Sequence, residues 1–348
     1  MRDPQATKKI GDHLAGRARW RPFEIVFWLL VLATVFGLPD RHLLLTQVVI
    51  LGLFALSLDL ILGFAGIISL GHAAFFGFGA YLAALAAKHE IVTEPALALL
   101  LAGLAAAALG WATSFLVLRG SDLSRLMVTL GLALVLREIA NKTGWLTGGA
   151  DGLQGVIVGP VLGRFEFDIG GHVAYVYSLA VTLGLFLIAR RLIYSPFGLS
   201  LRSLKDNATR ASAIGIPARR RLVAIYTVAA GYAGVAGALL AQTTQFASLA
   251  TLDFERSADV LLVLIIGGAG YLYGGFIGAI IFKLMQDWLA DLTPQYWEFW
   301  IGLILVLIVL IGHERMIDTA TRLRAAAGRL FAGAARLPAG IDRPAPGG

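Results

Sequence analysis

The sequence predicts an all-α, polytopic membrane protein, a bundle of about ten transmembrane helices, some of them broken. Of its 348 residues, 58% are hydrophobic and only 15% are charged, and the mean hydropathy is +0.77. Soluble domains are roughly 45–50% apolar and about 25% charged. The apolar residues fall in runs that approach the roughly 20 residues a helix needs to cross a bilayer. Glycine clusters interrupt two of these runs, which predicts the breaks.

The apolar runs predict a transmembrane domain over 23–312, between a basic N-terminus (1–22) and a basic tail (313–348). Most of the predicted spans stand clearly apart: 23–38, 43–63, 73–87, 95–118, 123–140, 173–193, 222–242 and 297–312. The remaining run, 258–290, is too long for one upright span. Its glycines divide it into spans at 258–271 and 274–290. The shortest of these segments also fit a re-entrant path.

The basic residues predict the orientation of the chain. Six lie in 1–22, eight in 190–221 and six in 313–348, out of 29 in all. Cytoplasmic loops carry the excess of Lys and Arg, so these three segments and both termini are predicted to be cytoplasmic. Six crossings before residue 190 and four after residue 221 satisfy this, with the loop 141–172 outside. The net charge of +7 then reflects topology and attraction to anionic lipid, and predicts no nucleic-acid partner.

The stretch 57–85, SLDLILGFAGIISLGHAAFFGFGAYLAAL, carries more than a plain anchor helix needs. Irregular backbone at membrane depth is tolerated only inside protein or beside a water-filled path, and broken helices are where transporters place their substrate. We therefore expect a substrate path here. Two other interpretations stay open: the acid is a neutral or hydrogen-bonded packing residue that faces another helix, or the histidine caps a helix or lies at the membrane interface. The candidate path residues are Asp59, Gly63, Gly66, Ser69, Gly71 and His72.

The basic connector 190–221 is too long for a simple turn. Pro196 and Gly198 end the preceding helix, and a helix is predicted over 199–214, stopped by Gly215 and Pro217. One predicted face of this helix is apolar: Leu201, Leu204, Ala208, Ala211 and Ile214. Two interpretations remain open, a solvated connector along the membrane surface or a short helix that docks into a groove on another protein.

The external loop and the absent motifs bear on the function class. In TGGADGL (147–153) the glycines favour a compact turn, with Asp151 either capping it or meeting a ligand. The sequence has no G-x-x-x-x-G-K-[ST], G-x-S-x-G or H-E-x-x-H motif, no cysteine, and no histidines at metal-ligand spacing. We therefore expect no enzyme, no metal and no cofactor bound by this chain.

Three blocks in order resemble a known family. They are GFAGIISLGHAAFFGFGAY at 63–81, TGGADGL at 147–153 followed by YSPFGLSLRSLKDNATRASAIGIPARRRLVAIYTVAAGYAGVAGALLA at 194–241, and SADVLLVLIIGGAGYLYGGFIGAIIF at 257–282. Together they resemble the branched-chain amino-acid permeases of bacterial ABC importers, of the LivM type. The resemblance extends over about 25–312.

The resemblance implies the fold of a type II ABC importer permease in the bacterial inner membrane. It implies a second, LivH-like permease subunit, two LivG/LivF-like ATPase subunits that hold ATP-Mg, and a periplasmic solute-binding protein. The solute would pass from periplasm to cytoplasm by alternating access. Similar permeases serve urea, short amides or small organic acids, so the solute stays open. An ion-coupled secondary transporter is the alternative of a different class; it would use Asp59, Arg137, Glu138 and Lys283.

The resemblance also makes the predicted helix 199–214 the coupling helix, which docks on the ATPase subunits. Ala208 stands where a second acid is common in the family, and Arg210 adds positive charge, so the ATPase contacts here differ from the usual pattern. The implied coupling residues are Gly198, Arg202, Lys205, Asp206, Ala213 and Gly215.

Overall fold

The computed structural model describes residues 22–168, 170–292, 294–296, 299–304 and 306. The helices confirm the predicted all-α fold: α1 Pro22–Gly37, α2 His42–Leu62, α3 Ala73–Lys88, α4 Pro95–Val117, α5 Asp122–Lys142, α6 Gly144–Thr147, α7 His172–Ile193, α8 Pro196–Asp206, α9 Ala208–Ala213, α10 Ala218–Thr244, α11 Phe254–Gly267 and α12 Gly274–Leu292. The predicted N-terminal segment up to residue 21, most of the predicted span 297–312 and the tail 313–348 lie outside the described residues.

The chain divides into two compact units, the first ending at Met285 and the second beginning at Gln286. Helix α12 runs through this boundary. In the second unit, 299–304 is helical, and the rings of Phe299 and Trp300 meet edge to face with centroids 5.4 Å apart. Everything described below belongs to the first unit.

Length and hydropathy together separate the clear membrane spans from the other helices among the described residues. Four helical segments are long and apolar enough to cross a membrane: Pro39–Leu62, which includes a 3-10 turn before α2, and α4, α7 and α10. Helices α1 and α3 are apolar but have only 16 residues each. At 1.5 Å per residue that is roughly 24 Å, less than the roughly 30 Å hydrocarbon core. Helix α11, with 14 residues, is shorter still.

Local sequence signals explain where several helices begin. The Glu94 carboxylate accepts the amide hydrogen of Leu97 at 2.8 Å, and Pro95 occupies the first position of α4, where a missing N–H costs nothing. The Ser195 hydroxyl accepts from the amide of Phe197 at 3.2 Å and Pro196 opens α8 in the same way. The Ser195 cap fixes where α8 begins within the basic connector.

Helices α2 and α10 form the centre of the first unit. Helix α2 is buried from Val48 to Ile61, and α10 packs against α2, α3 and α4. Small residues allow the close approach: a Cβ on Gly237 would overlap the carbonyl of Phe76, and one on Gly79 would overlap the backbone of Gly234. Helices in membranes associate through such small-residue contacts. Helix α2 packs beside this pair, and its C-terminal end carries the candidate site.

The connector differs from its prediction at Asn207. The predicted helix 199–214 is wrong as a single helix: it is two, α8 and α9, because Asn207 is extended (φ −160°, ψ 100°). Its predicted start is wrong as well, because α7 ends at Ile193 and α8 already begins at Pro196 and includes Gly198. The side-chain oxygen of Asn207 accepts the amide hydrogen of Arg210 at 2.8 Å and so starts α9. Asparagine is among the preferred N-cap residues, and this local preference overrides the apolar periodicity.

The break also changes the predicted apolar face. Leu201, Leu204 and Ala211 are buried, but Ala208 is exposed and Ile214 is 72% exposed. Gly215, in the left-handed region at φ +87°, follows the end of α9. The predicted stop at Gly215 is therefore confirmed, although the segment before it is a pair of helices.

The loop after α5 forms a compact turn, as its glycines favour. Gly148, Gly149 and Gly152 all have positive φ, between 57° and 79°. Leu153 then donates its amide hydrogen to the carbonyl of Ala247 at 2.7 Å, which ties the loop to the segment after α10.

Candidate translocation site

The first helix break lies between α2 and α3, at residues 63–72. The carbonyl of Asp59 accepts two amide hydrogens, from Gly63 at 2.8 Å and Phe64 at 3.1 Å, and the chain then leaves the helix. Gly66 turns in the left-handed region at φ +72°, which only glycine adopts without strain. The broken helix predicted from the glycines is therefore present.

A second break, at 268–273 between α11 and α12, meets the first. The amide hydrogen of Gly270 is donated to Oδ1 of Asp59, with N and O 2.6 Å apart. Gly270 itself has φ +86°. A Cβ on Gly63 would overlap both the Asp59 carboxylate and the Gly270 amide nitrogen. Glycine at 63 is what allows the two breaks to touch.

Helix α8 reaches the same point through two basic side chains. The Nζ atom of Lys205 donates a hydrogen bond to the carbonyl of Gly63, at 2.8 Å. The Arg202 guanidinium lies over the ring of Phe64, 5.3 Å from its centroid, a cation–π arrangement. A Cβ on Gly66 would lie 3.1 Å from Cγ of Lys205. The predicted coupling segment therefore contacts the break directly.

A cavity of about 830 Å³ opens where α8 and the two breaks meet; we refer to it as the α8 cavity. Lys205, Asp206 and Gly270 are among its lining residues, together with Glu24 from α1. Glu24 is held by a buried ion pair with Arg190 of α7, N to O 3.0 Å, in which both side chains are less than 10% exposed. The cavity wall therefore combines fixed charge with exposed backbone of both breaks.

The far end of the first break is a buried polar cluster. Nε2 of His72 and the Ser57 hydroxyl are 2.9 Å apart, and the imidazole stacks on Phe54 with centroids 5.7 Å apart. The first amide of α3, that of Ala73, is satisfied by the hydroxyl of Ser257 at 2.9 Å. The side chain of His72 therefore does not cap α3, which answers the capping interpretation.

Three polar side-chain atoms of this region are buried and make no hydrogen bond among the described residues: Oδ2 of Asp59, Oγ of Ser69 and Nδ1 of His72. A buried polar group without a partner costs roughly 1–3 kcal/mol. Such groups are expected where a polar solute or a second conformation supplies the missing partner. Ser69 and His72 belong to the break, and Asp59 lies one turn before it in α2.

A smaller cavity, of about 260 Å³, lies at the opposite end of the bundle from the basic connector; we refer to it as the α11 cavity. Arg256, in the first turn of α11, and Lys283 of α12 line it. Phe54 and Phe76, whose rings are 4.4 Å apart, belong to its wall. Because Phe54 lines this cavity and Gly63 lines the α8 cavity, less than three turns of α2 separate the two.

The six predicted path residues come together in one break. Asp59, Gly63 and Gly66 lie at its α8 end, and Ser69, Gly71 and His72 at its other end. A Cβ on Gly71 would overlap the Thr129 carbonyl of α5. The structure does not test whether a solute touches them, so their role stays a prediction.

The predicted coupling residues divide into three groups. Arg202, Lys205 and Asp206 line the α8 cavity. Ala213 and Gly215 are exposed at the end of α9. Gly198 is buried, and a Cβ there would overlap the carbonyl of Ile193, so it is placed for close packing at the α7–α8 turn. Whether any of them contacts an ATPase stays a prediction.

Sequence analysis did not single out the partners of the break. Gly270 was used only to divide 258–290, and nothing in the sequence pairs it with Asp59. Ser257 and Thr129, whose hydroxyls accept amide hydrogens from Ala73 and Leu70, are ordinary helix residues by pattern. Only their position in the folded chain identifies them.

Two of the other ionisable residues considered for an ion relay form ion pairs elsewhere. Arg137 forms an ion pair with Asp253, and Lys142 lies 3.7 Å from Glu138 along α5. Neither pair includes Asp59.

Comparison with known proteins gives a consistent family. Residues 42–310 match the family described as the permease component of branched-chain amino acid transport systems. The high-affinity branched-chain amino acid transport system permease protein LivM of Escherichia coli K12 is 30% identical over 81% of this chain and 72% of its own length. LivM of Salmonella typhimurium is 28% identical over 82% and 72%, respectively.

A third relative matches a shorter stretch. The inner membrane ABC transporter permease protein YjfF of Escherichia coli K12 is 30% identical over 39% of this chain and 41% of its own length. No solved structure matches the chain.

Proposed function

Because the chain belongs to the family of permease components of branched-chain amino acid transport systems, we propose that it carries branched-chain amino acids across the bacterial inner membrane into the cytoplasm. It acts as one subunit of an ABC importer. A second, LivH-like permease subunit completes the path, two LivG/LivF-like ATPase subunits hydrolyse ATP-Mg, and a periplasmic binding protein delivers the solute. Both termini and the connector 190–221 face the cytoplasm.

One observation carries the coupling part of this proposal: Lys205 of α8 hydrogen-bonds the backbone of the first break. A helix docked on an ATPase moves as a rigid body when the ATPase subunits close. Because Lys205 and Arg202 contact residues 63 and 64, that movement reaches the break without an intervening element. Asp59 then links the same point to the second break. The transport step is the exchange of these contacts between two conformations.

The test is reconstitution of the full-length chain with its candidate partner subunits in proteoliposomes. ATP is enclosed, the leucine-loaded binding protein is outside, and uptake of labelled leucine is measured. Uptake that needs ATP and disappears when the P-loop lysine of the ATPase subunits is replaced supports the proposal.

Two results would contradict it. Leucine uptake driven by an ion gradient without ATP would identify a secondary transporter. Uptake of urea or a short amide, with none of leucine, would keep the ABC mechanism and change the solute class.

A further inference from the structure

The α11 cavity has the size and position of a site for a small solute. Its volume of about 260 Å³ is just below the roughly 300–1,000 Å³ of pockets that hold drug-sized ligands. It lies where α10 ends, 27 residues along the helix from the basic connector, so the charge pattern places it toward the outside. A solute delivered from the periplasmic side reaches this cavity before it reaches the break.

The wall of the cavity is amphipathic. Ile50, Leu51 and Leu240 give it an apolar side, and Arg256 and Lys283 give it two cations. No carboxylate is among the described residues that line it. The ion pair of Arg256 with Asp259 is long, N to O 3.9 Å, and 42% of the Arg256 side chain is exposed. Its guanidinium is therefore available to a second anionic partner.

The inner wall of the cavity adjoins the break. Phe54 and Phe76 form part of that wall, and Phe54 stacks on His72, which lies at the end of the break. Phe54 is 2% exposed and Phe76 4%, so both rings are packed in the protein on the inner side of the cavity. A solute in the cavity is therefore one aromatic layer away from the polar cluster of Ser57 and His72.

From this chemistry we infer that the α11 cavity is the outer solute site of the permease, with Arg256 binding the carboxylate of a small amino acid while its apolar side chain packs on the aliphatic wall. Guanidinium–carboxylate hydrogen bonds are charge-assisted and stronger than neutral ones. Urea and short amides have no carboxylate and gain nothing from the guanidinium. The inference rests on the proposed function for the choice of solute, and it favours amino acids over the neutral solutes of similar permeases.

The test uses the absence of native cysteine. An Ala250→Cys reporter, in the cavity wall but not among the proposed solute-binding groups, is reacted with a membrane-impermeant thiol reagent applied to the outside of the full-length complex in proteoliposomes. Leucine is expected to slow the labelling along a saturation curve, whereas leucinamide and urea leave the rate unchanged. Arg256→Gln is expected to weaken protection by leucine about tenfold, the size of one charge-assisted hydrogen bond.

Controls separate the site from general effects. Lys88→Gln removes an exposed cation at the end of α3, outside the cavity, and should leave protection by leucine unchanged. Arg256→Lys keeps the charge and should retain part of the protection by leucine. Equal protection by leucinamide, or protection by leucine that survives Arg256→Gln, would overturn the inference. So would a lack of protection in a transporter whose ATP-driven leucine uptake is intact. If leucine protects the reporter but the complex shows no ATP-driven leucine uptake, the proposed function is wrong and the inference about the cavity stands.

Discussion

Replacing Lys205 with methionine tests whether α8 acts on the break. The substitution keeps a long, unbranched side chain and removes only the donor that bonds the Gly63 carbonyl at 2.8 Å. Because this bond joins the proposed coupling helix to the proposed path, its loss should leave ATP hydrolysis in place and reduce transport. A variant that merely unfolds would lose both activities together.

The expected size follows from the geometry of the contact. A hydrogen bond from a charged donor contributes roughly 1.5–3 kcal/mol, and Lys205 is an exposed residue, so solvent competes and the lower figure applies. About 1.4 kcal/mol corresponds to tenfold in an equilibrium constant. Uptake of leucine for each ATP hydrolysed is therefore expected to fall about tenfold, with binding-protein-stimulated ATPase activity nearly unchanged.

The assay is parallel measurement of leucine uptake and phosphate release in proteoliposomes. Lys205→Arg retains a donor and should recover most of the coupling. Arg191→Met, on the exposed last turn of α7, removes a basic side chain from the same connector and should have little effect. Uptake per ATP in Lys205→Met equal to that of the unaltered protein, with ATPase subunits still bound, would refute the mechanical link.

Four further changes test the path, the stop, the topology and the external loop. Gly71→Val should abolish uptake without preventing membrane insertion, because a Cβ there overlaps α5, whereas Leu30→Val on the 64% exposed face of α1 should transport normally. Gly215→Val places a branched residue at φ +87° and should lower uptake per ATP; uptake at the normal ratio would make α9 a plain connector. Asp151→Cys should react with an impermeant thiol reagent from outside, and reaction only from inside would reverse the orientation. Burial raises the pKa of Asp168, but the amide hydrogens it accepts from α7 outweigh this effect, so the pKa is lowered. The Asp168 carboxylate therefore stabilises the fold above the usual aspartate pKa, and this stabilisation is lost as pH falls through the lowered pKa. In Asp168→Asn the unfolding temperature should no longer fall with pH for this reason. An unchanged dependence of the unfolding temperature on pH would show that the Asp168 carboxylate does not stabilise the start of α7.

Hydropathy predicted most of the helices because a bilayer sets a minimum length of apolar sequence. Helices α2, α4 and α7 begin and end within a residue of their predicted limits. The break at 63–72 was also predictable, because its glycines favour irregular backbone. Gly66 adopts the left-handed region there, which other residues rarely do. These are local properties, which the sequence carries directly.

The contacts that make the break a site were not predictable, because they join residues far apart in the chain. Asp59 meets Gly270, and Lys205 meets Gly63, only after α8 and the second break pack against α2. The prediction of a single helix in the connector was wrong for a different reason. Its apolar spacing favoured one helix, and the short-range capping preference of Asn207 divided it.

The energies at the break suit an element that changes conformation. In this state the break is held by a few polar contacts, chiefly those of Lys205 and Asp59, each worth roughly 0.5–3 kcal/mol. At the same time, polar atoms of Asp59, Ser69 and His72 are buried without partners among the described residues, which offsets part of that gain. The contacts and the unpaired atoms lie at the same place, so a movement of α8 changes both. Under the proposed mechanism, a shift of α8 that breaks one contact and frees these atoms to find partners is enough to favour the alternative state, because population follows a difference of only a few kcal/mol.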